Sequence, residues 1–311
     1  MIRTAISLLV IVLIVPLLIY TSGITISDQQ YKILIQAAKI MAIISLACFV
    51  ISELTGNYSQ TDKIWSLAPI LYAWYFCRKA GFDSRTILMA VLVTIWGLRL
   101  TYNFAKKGGY HILFWKGKED YRWAILREIP FLRGRFRWGL FNLVFISFYQ
   151  NAIILFFTLP SVAAIQSEKT SLNRIDVVAT LLILFFILIE TIADEQHYKF
   201  QTEKYRKIKA GEPLNDEQVR GFLQKGLWGL VRHPNYAAEQ AIWISYYLFS
   251  VAATGKWLNW SVAGAILLVL LFLGSSSFSE KISAGKYPGY TNYQKSVPRF
   301  IPRFIRKSRN Q

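Results

Sequence analysis

Long apolar runs recur along the whole chain, and they constrain its fold more than any other feature. Eight such segments can be recognised, the third and seventh weaker than the rest, at residues 4–22, 31–54, 62–78, 85–104, 138–160, 173–194, 236–254 and 257–278. A helix needs about 20 predominantly apolar residues to cross the hydrocarbon core of a bilayer. Because lipid offers no partner to an unpaired backbone N–H or C=O, each segment must be helical. The sequence therefore predicts an all-α, polytopic transmembrane bundle of about seven or eight spans.

The composition excludes an ordinary soluble domain. Of 311 residues, 54 % are apolar and only 17 % are charged, whereas a water-soluble domain carries roughly 25 % charged residues. A transmembrane barrel would show short segments of alternating polarity, and runs such as SLLVIVLIVPLLIY do not alternate. The first segment follows Arg3 as a signal peptide would, but no cleavage site and soluble domain come after it. We interpret it as an uncleaved first helix.

The net charge of +18 is concentrated in three regions. Of 36 Lys and Arg residues, nine lie in 105–138, eight in 195–235 and eight from residue 279 onward. With eight spans these regions share one side, which the positive-inside rule makes cytoplasmic. The loop that carries Arg78, Lys79 and Arg85 then falls on the opposite side, unless one weak segment does not cross. We expect an integral membrane protein, favour a bacterial inner membrane, and place the cofactor side in the cytoplasm.

Basic loops of this kind set topology and contact anionic membrane lipids, and they also suit an anionic ligand such as a dinucleotide. They are interrupted by spans and form no groove-reading motif, so no nucleic acid partner is expected. Cys48 and Cys77 lie in apolar segments, and His111, His197 and His233 are far apart in sequence. No metal site or disulfide framework is predicted from this pattern. No GxGxxG motif or P-loop occurs either.

Ionisable residues within spans are informative, because each costs at least a few kcal/mol unless it faces a cavity or a partner. Asp62 begins the third segment, where it could be an N-cap at the membrane interface. Arg99 lies inside the fourth segment, in TIWGLRLTYNF, and either snorkels to the interface or binds a phosphate. Arg122, in KEDYRW, has close acidic neighbours and is either paired with them or free for a ligand.

The sixth segment ends in ILIETIADEQHYKF. Glu190 and Asp194 are four residues apart and share one helical face, which His197 continues. Because a structural purpose for this stripe is hard to find, we interpret it as a face that contacts a ligand, with a solvated helix end as the alternative.

The stretch LWGLVRHPNYAAEQ, residues 227–240, is the densest polar cluster. The proline after His233 disfavours a helical backbone at that histidine, so Asn235 is predicted to cap a helix that begins at Tyr236. Arg232, His233 and the N–H groups of the first turn would then converge on one place that favours anions, with Glu239 in the same turn. A capping device alone explains the proline and the asparagine but not the other residues.

Taken together, several motifs make the chain similar to the steroid 5α-reductase-like family of integral membrane proteins, in a bacterial branch with unassigned substrates. They are TDKIWSLAP, WGLRL, EDYR, IETIADEQHYKF, GLWGLVRHPNYAAEQAIW and SEKISAGKYPGYTNYQKSVPRFIP, and they cover roughly residues 60–305. The resemblance implies N-terminal transmembrane helices over 1–56 and a transmembrane catalytic domain with a basic tail over 57–311. It also implies an NADPH-dependent reductase of a carbon–carbon double bond conjugated to a carbonyl. The substrate would be a steroid- or isoprenoid-like lipid that enters from the bilayer.

The resemblance also assigns catalytic residues. In the steroid reductases a Gln-Glu pair begins a comparable span seven residues before a proline, and here Asp62 holds the place of the glutamate before Pro69. Asp62 is thus expected to be the catalytic acid. The family has a tyrosine three residues before the arginine that matches Arg99, but this position is Trp96. Tyr102 is the predicted substitute, and the alternatives are Tyr72 or a different chemistry in this branch.

The remaining predicted site residues would hold NADPH. Those expected to face phosphates are Arg99, Arg122, Arg232 and His233, and those expected to hold the sugars and the nicotinamide amide are Glu190, Asp194, Asn235, Tyr236 and Glu239, with His197 on the same stripe.

An alternative function rests on the Arg-His-Pro-x-Tyr stretch. The isoprenylcysteine carboxyl methyltransferases share this stretch, and in them it helps to hold S-adenosylmethionine. In that case Arg232, His233, Tyr236 and Glu239 remain cofactor contacts, and Asp62 is an interface cap. A third hypothesis is a lipid-binding or transport protein whose buried charges pair structurally.

Overall fold

The computed structural model describes residues 26–113, 115–166 and 171–303, and within these ranges it contains helices and no β-strand. The longer helices are α1 (Asp28–Thr55), α3 (Ala68–Lys79), α4 (Ser84–Lys106), α6 (Arg135–Ala163), α7 (Arg174–Ala210), α10 (Pro234–Thr254) and α11 (Val262–Lys286). The short helices are α2 (Gln60–Ile64), α5 (Tyr121–Arg127), α8 (Asp216–Arg220), α9 (Leu227–Leu230) and α12 (Tyr290–Ser296). The prediction of an all-α fold is confirmed.

Five of these helices are long and apolar enough to cross a membrane: α1, α4, α6, α7 and α11. They coincide with the second, fourth, fifth, sixth and eighth predicted segments. The third segment is a broken helix, divided into α2 and α3, and the seventh is α10, which is not among the five. The first segment, 4–22, lies outside the described residues. Five candidate spans are therefore established, and the total of seven or eight stays a prediction.

The chain divides into two compact units. The first unit comprises the residues up to Leu181 together with Trp243–Leu268, and the second comprises Leu182–Ile242 together with the residues from Val269 onward. Helix α1 belongs to the first unit with α2 to α6, and the domain boundary predicted between residues 56 and 57 stays a prediction.

In the first unit α1 and α6 pack as an antiparallel pair. At the start of α1, the Gln30 side chain donates to the carbonyl of Ile165 at 2.8 Å, just beyond the end of α6. Near the end of α1, Ser52 Oγ accepts a hydrogen bond of 2.9 Å from the amide of Asn142. Residues 142–149 of α6 form a π-helical stretch, in which the backbone hydrogen bonds run from i to i+5. Thr61 Oγ1 donates to the carbonyl of Ile146, within this stretch, at 3.0 Å.

Helices α3 and α4 approach each other closely at Gly97. A Cβ atom there would lie 2.6 Å from the carbonyl oxygen of Ser66 and 2.6 Å from Ile70 Cδ1. One turn beyond Gly97, Thr101 Oγ1 lies 2.7 Å from Ser66 Oγ. Glycine is therefore required here by packing, not by its backbone conformation.

Trp96 lies in the aromatic core of the first unit. Its ring is 1 % exposed and meets Trp243 edge to face, with 4.9 Å between the ring centroids. Phe157 packs on the other tryptophan at 4.0 Å, and Tyr246 closes the cluster with its hydroxyl 2.5 Å from Ser161 Oγ. Trp96 thus contributes packing to the core.

Arg85 is neutralised by a buried ion pair. Its guanidinium binds Asp176 through two hydrogen bonds of 2.8 and 2.9 Å, and the side chains are 2 % and 1 % exposed. This pairing gives a reason why an arginine can stand in a loop that the positive-inside rule disfavours, since the pair carries no net charge.

Candidate functional site

The candidate acid Asp62 is held by a tryptophan of α5. Trp123 Nε1 donates to Asp62 Oδ2 at 3.2 Å and to Ser59 Oγ at 3.1 Å. Ser59 is the N-cap residue of α2, yet its hydroxyl oxygen accepts the backbone N–H of Asp120 at 2.9 Å. Asp62 is the third residue of α2, so the structure does not support the interpretation of Asp62 as a helix cap.

Asp120 begins α5 and binds Arg122 in two ways. Its Oδ1 atom accepts the backbone N–H of Arg122 at 2.8 Å, which caps the helix. The guanidinium of the same arginine reaches both carboxylate oxygens at 2.9 and 2.8 Å. Of the two roles considered for Arg122, the structure shows the paired one, and the geometry gives no support to a phosphate contact.

Asp62 and Asp120 differ in their tendency to hold a proton. Burial raises the pKa of Asp62, and the nearby carboxylate of Asp120 raises it further. Burial also acts to raise the pKa of Asp120, but the adjacent Arg122 guanidinium outweighs it and holds that pKa below its usual range. Asp62 is therefore the carboxyl that keeps its proton to higher pH, which is the property a proton donor needs.

The two predicted tyrosines, Tyr102 and Tyr72, differ in exposure. Tyr102 is 70 % exposed on α4, and its ring lies near the ammonium group of Lys106. Tyr72 is fully buried, and among the described residues its hydroxyl has no hydrogen-bond partner. Asp62 lies in α2 and Tyr72 in α3, on opposite sides of the break between the two helices. Arg99 lies half-buried on α4.

In the second unit, the predicted stripe of α7 contacts α9. The ring of Trp228 packs on His197 with 5.0 Å between centroids, and its indole N–H donates to the carbonyl of Ala193 at 3.0 Å. The backbone N–H that begins α9 donates to the Gln196 side chain at 3.1 Å. Gly226, with φ +61°, leaves room for this amide, since a Cβ there would lie 2.6 Å from it. His197 thus helps to pack α9 against α7.

The RHPNY stretch begins α10. The helix starts at Pro234, one residue after His233, so the predicted start at Tyr236 is corrected: the proline occupies the first helical position, where its missing N–H costs nothing. Asn235 does not cap the helix from outside. Its Oδ1 atom accepts the N–H of Tyr236 at 3.0 Å, and its Nδ2 atom donates to Asp194 Oδ1 at 3.3 Å. The structure therefore brings together two residues that the sequence analysis placed in separate clusters.

A buried carboxylate that the sequence analysis missed organises this region. Glu280, on α11, is 2 % exposed, and four side chains converge on it. Arg232 binds it through Nε at 2.7 Å and Nη2 at 3.2 Å, and His233 Nε2 lies 2.9 Å from its Oε1. Gln294 and Arg299 reach Oε2 at 2.9 and 3.3 Å. Glu280 lies near the end of the apolar helix α11, as the second residue of the SEKISAGKYPGY motif. An acidic residue at this place in an apolar helix is the signal that could have identified it.

Arg232 also fixes the C-terminal segment. Its Nη1 atom donates to the carbonyl groups of Gln294 and Val297, and its backbone N–H donates to the carbonyl of Pro298 at 2.9 Å. A phosphate would have to displace these contacts, so the geometry makes Arg232 a positioning residue more than a phosphate ligand.

The remaining predicted site residues of the second unit lie on α7 and α10. Tyr236 stacks on His233 with an interplanar angle of 13°, and its ring also packs on Phe272 with 4.7 Å between the centroids. Glu190, Asp194 and Glu239 are all buried, on α7 and α10. Within the described ranges, no three His, Cys, Asp or Glu side chains gather in a way that could hold a metal ion.

These features define an α-helical protein with membrane-spanning helices and an ionisable cluster in each of its two units. The chain belongs to the family described as "Protein of unknown function (DUF1295)", whose model matches residues 48–297. It is similar to "Uncharacterized protein C594.04c" of Schizosaccharomyces pombe, with 32 % identity over 299 residues that cover 92 % of this chain and 85 % of the relative. No solved structure matches the chain. The matched region includes Asp62, Asp120, Arg232, His233 and Glu280, and neither match names an activity.

Proposed function

We propose that the protein is a membrane-embedded reductase that uses NADPH to reduce a carbon–carbon double bond conjugated to a carbonyl in a steroid- or isoprenoid-like lipid. The observation that supports this most is the pair of Asp62 and Asp120, in which burial raises the pKa of one carboxyl while Arg122 keeps the other ionised. The five apolar helices suit a substrate that partitions into the bilayer. The reaction class itself comes from the similarity of the motifs to the steroid 5α-reductase-like family.

Asp62 would stabilise the negative charge that develops on the substrate. When bound, NADPH supplies a hydride, which adds to the β-carbon of the conjugated system. The carbonyl oxygen then becomes negative, and a protonated Asp62 donates a hydrogen bond to it, an effect worth roughly 3–4 kcal/mol for a well-placed donor. Trp123 fixes the carboxyl through Oδ2. A proton from water adds to the α-carbon and completes the reduction.

The second unit has the groups that an anionic dinucleotide needs. Around Glu280, two arginines and a histidine face a single carboxylate, so the cluster has an excess of positive charge. Arg299 is 31 % exposed and is the arginine more accessible to a phosphate. Asp194 and Asn235 offer a carboxylate and an amide, which suit ribose hydroxyls and a carboxamide. In this proposal Arg232 holds the C-terminal segment in place.

The methyltransferase alternative is kept because one observation supports it as well as it supports the reductase. The shared motif residues Arg232, His233 and Tyr236 form their cluster entirely within the second unit, without Asp62. S-adenosylmethionine could use the same residues, since its cationic sulfur would be compatible with the buried carboxylates nearby.

A melting experiment on the purified protein separates the proposals. NADPH at 100 times its Kd should stabilise a reductase by about 2.7 kcal/mol, and S-adenosylmethionine should leave the Tm unchanged. Asn235→Ala should reduce the shift, and the exposed Lys209→Gln serves as the control. A shift with S-adenosylmethionine alone would support the methyltransferase. No shift with either would overturn both and favour a lipid-binding protein.

A further inference from the structure

A cavity of about 460 Å³ lies at the end of α1, and it belongs to neither cluster described above. Its lining comes from two short stretches of the first unit, and the residues are Leu54, Thr55, Asn57, Trp115, Lys116 and Gly117. The volume is within the range of roughly 300–1,000 Å³ that is usual for small-molecule sites.

The loop that forms one wall of the cavity is held in place by defined contacts. Lys118 N donates to the carbonyl of Gly108 at 3.0 Å, which closes the loop. Gly117 adopts φ +113°, and a Cβ there would lie 2.4 Å from a backbone oxygen, so only glycine fits. Its carbonyl accepts the amide of Asn57 at 3.0 Å. The buried Lys63 donates to the carbonyl of Lys116 at 2.7 Å. The cavity is therefore part of the fold.

The walls differ in polarity. Leu54 is 81 % exposed at the end of a candidate membrane span, and Ile112, in the same loop as Lys116, is 98 % exposed. Thr55 and Asn57 add polar groups to the lining. Trp115, 38 % exposed, has the amphipathic side chain that is enriched at membrane–water interfaces. An amphipathic ligand that lies across this interface matches the distribution.

The loop is also strongly basic. Residues 106–118 contain four lysines and no acidic residue. The nearest acidic side chains in sequence are already engaged: Glu53 accepts the amide of Asn142 at 2.8 Å, and Glu119 pairs with Arg127. The local field therefore favours an anion, and basic residues near a bilayer surface attract anionic lipid headgroups.

We propose that this cavity binds the headgroup of an anionic phospholipid, with the phosphate at the Lys116 ammonium group and an acyl chain along Leu54. The site is independent of the reductase proposal, since it uses none of the residues placed in either cluster. A neutral phospholipid would lack the attraction to the lysines, and a soluble phosphate would lack the contact with the apolar wall.

The test uses the full chain in a neutral detergent. Titration with phosphatidylglycerol should raise the Tm to a plateau, and phosphatidylcholine and glycerol phosphate should raise it much less. Lys116→Gln should weaken the apparent affinity for phosphatidylglycerol by about fivefold, the contribution of one basic residue near a lipid surface. Lys209→Gln, at an exposed lysine of α7, should not.

Native mass spectrometry gives a second readout that does not depend on the basal Tm. The wild-type protein should retain one phosphatidylglycerol more than Lys116→Gln does. Equal retention by both, equal stabilisation by phosphatidylcholine, or equal stabilisation by glycerol phosphate would each overturn the proposal. Failure of NADPH to bind would not bear on it.

Discussion

Trp123 Nε1 donates a hydrogen bond of 3.2 Å to Asp62 Oδ2, and this bond ties the candidate acid to the helix that carries Asp120 and Arg122. The two carboxyls lie in the same region, but their pKa values shift in opposite directions, upward for Asp62 and downward for Asp120. The reason is that only Asp120 has Arg122 as a direct hydrogen-bond partner. This difference, and not the mere presence of an acid in an apolar segment, is what makes Asp62 a candidate proton donor.

Asp62→Asn should abolish NADPH oxidation with a conjugated lipid substrate and leave the Kd for NADPH within about twofold. The amide oxygen can still accept the Trp123 bond, so the local structure is kept, while the acidic proton is lost. Asp216→Asn, at an exposed residue of α8, is the matched control. Equal loss of turnover and cofactor binding would remove Asp62 from the acid role.

The pH dependence of stability should reveal the raised pKa of Asp62. Burial favours its protonated form, so this group stabilises the folded state fully below the unfolded pKa of about 3.9, and that contribution is lost as pH rises through the folded pKa. Asp62→Asn should therefore melt higher than the wild type above the folded pKa. Below the unfolded pKa the two should melt together. A wild-type protein that gains stability relative to the variant as pH rises would contradict the assignment.

Arg232→Ala should destabilise the protein by about 3–5 kcal/mol, because it leaves the Glu280 carboxylate buried with its strongest partner removed. The effect should appear as a lower Tm even without cofactor. Lys199→Ala breaks an exposed pair with Glu195 and should change stability by no more than about 0.5 kcal/mol. If Arg232→Ala weakens NADPH binding and leaves the Tm unchanged, Arg232 is a ligand and not a positioning residue.

Gly264→Ala should lower stability by about 1–3 kcal/mol through overpacking. An added Cβ would lie 2.1 Å from the carbonyl oxygen of Phe156, a backbone atom that cannot move alone. Gly285 is in the same helix, α11, and a Cβ there meets nothing within 4 Å. Gly285→Ala should thus be neutral or slightly stabilising, since alanine favours the helix. Equal melting of the two variants would mean that the close approach at Gly264 is not a constraint.

Arg85→Ala or Asp176→Ala should each cost about 3–5 kcal/mol, because each leaves one buried charge without its partner. The double change Arg85→Ala with Asp176→Ala should cost much less than the sum, since it removes both buried charges. Thermal melting of the four proteins measures the coupling. Additive losses would show that the pair contributes through other contacts.

The apolar pattern predicted six of the helices close to their observed positions, because the membrane demands length and hydrophobicity that are visible residue by residue. Helix α7 shows the limit of that signal. Its apolar part ends near residue 194 as predicted, but the helix continues to Ala210 through a polar stretch. Likewise the break between α2 and α3 is invisible in hydropathy, which reads 62–78 as one segment.

The candidate site residues show the same contrast between what the sequence indicates and what only the packing of the helices decides. The sequence by itself determined that this is a helical membrane protein, and it marked Asp62, Arg232 and His233, because a charge in or beside an apolar segment is conspicuous. It did not mark Asp120 or Glu280. Only the tertiary structure decided their partners: Glu280 for Arg232 and His233, Asp194 for Asn235, and Trp123 for Asp62. These contacts join residues 41 to 61 positions apart, and helical periodicity relates side chains only a few residues along the chain. Which charges meet is set by how the helices pack, and that information is spread over the whole sequence.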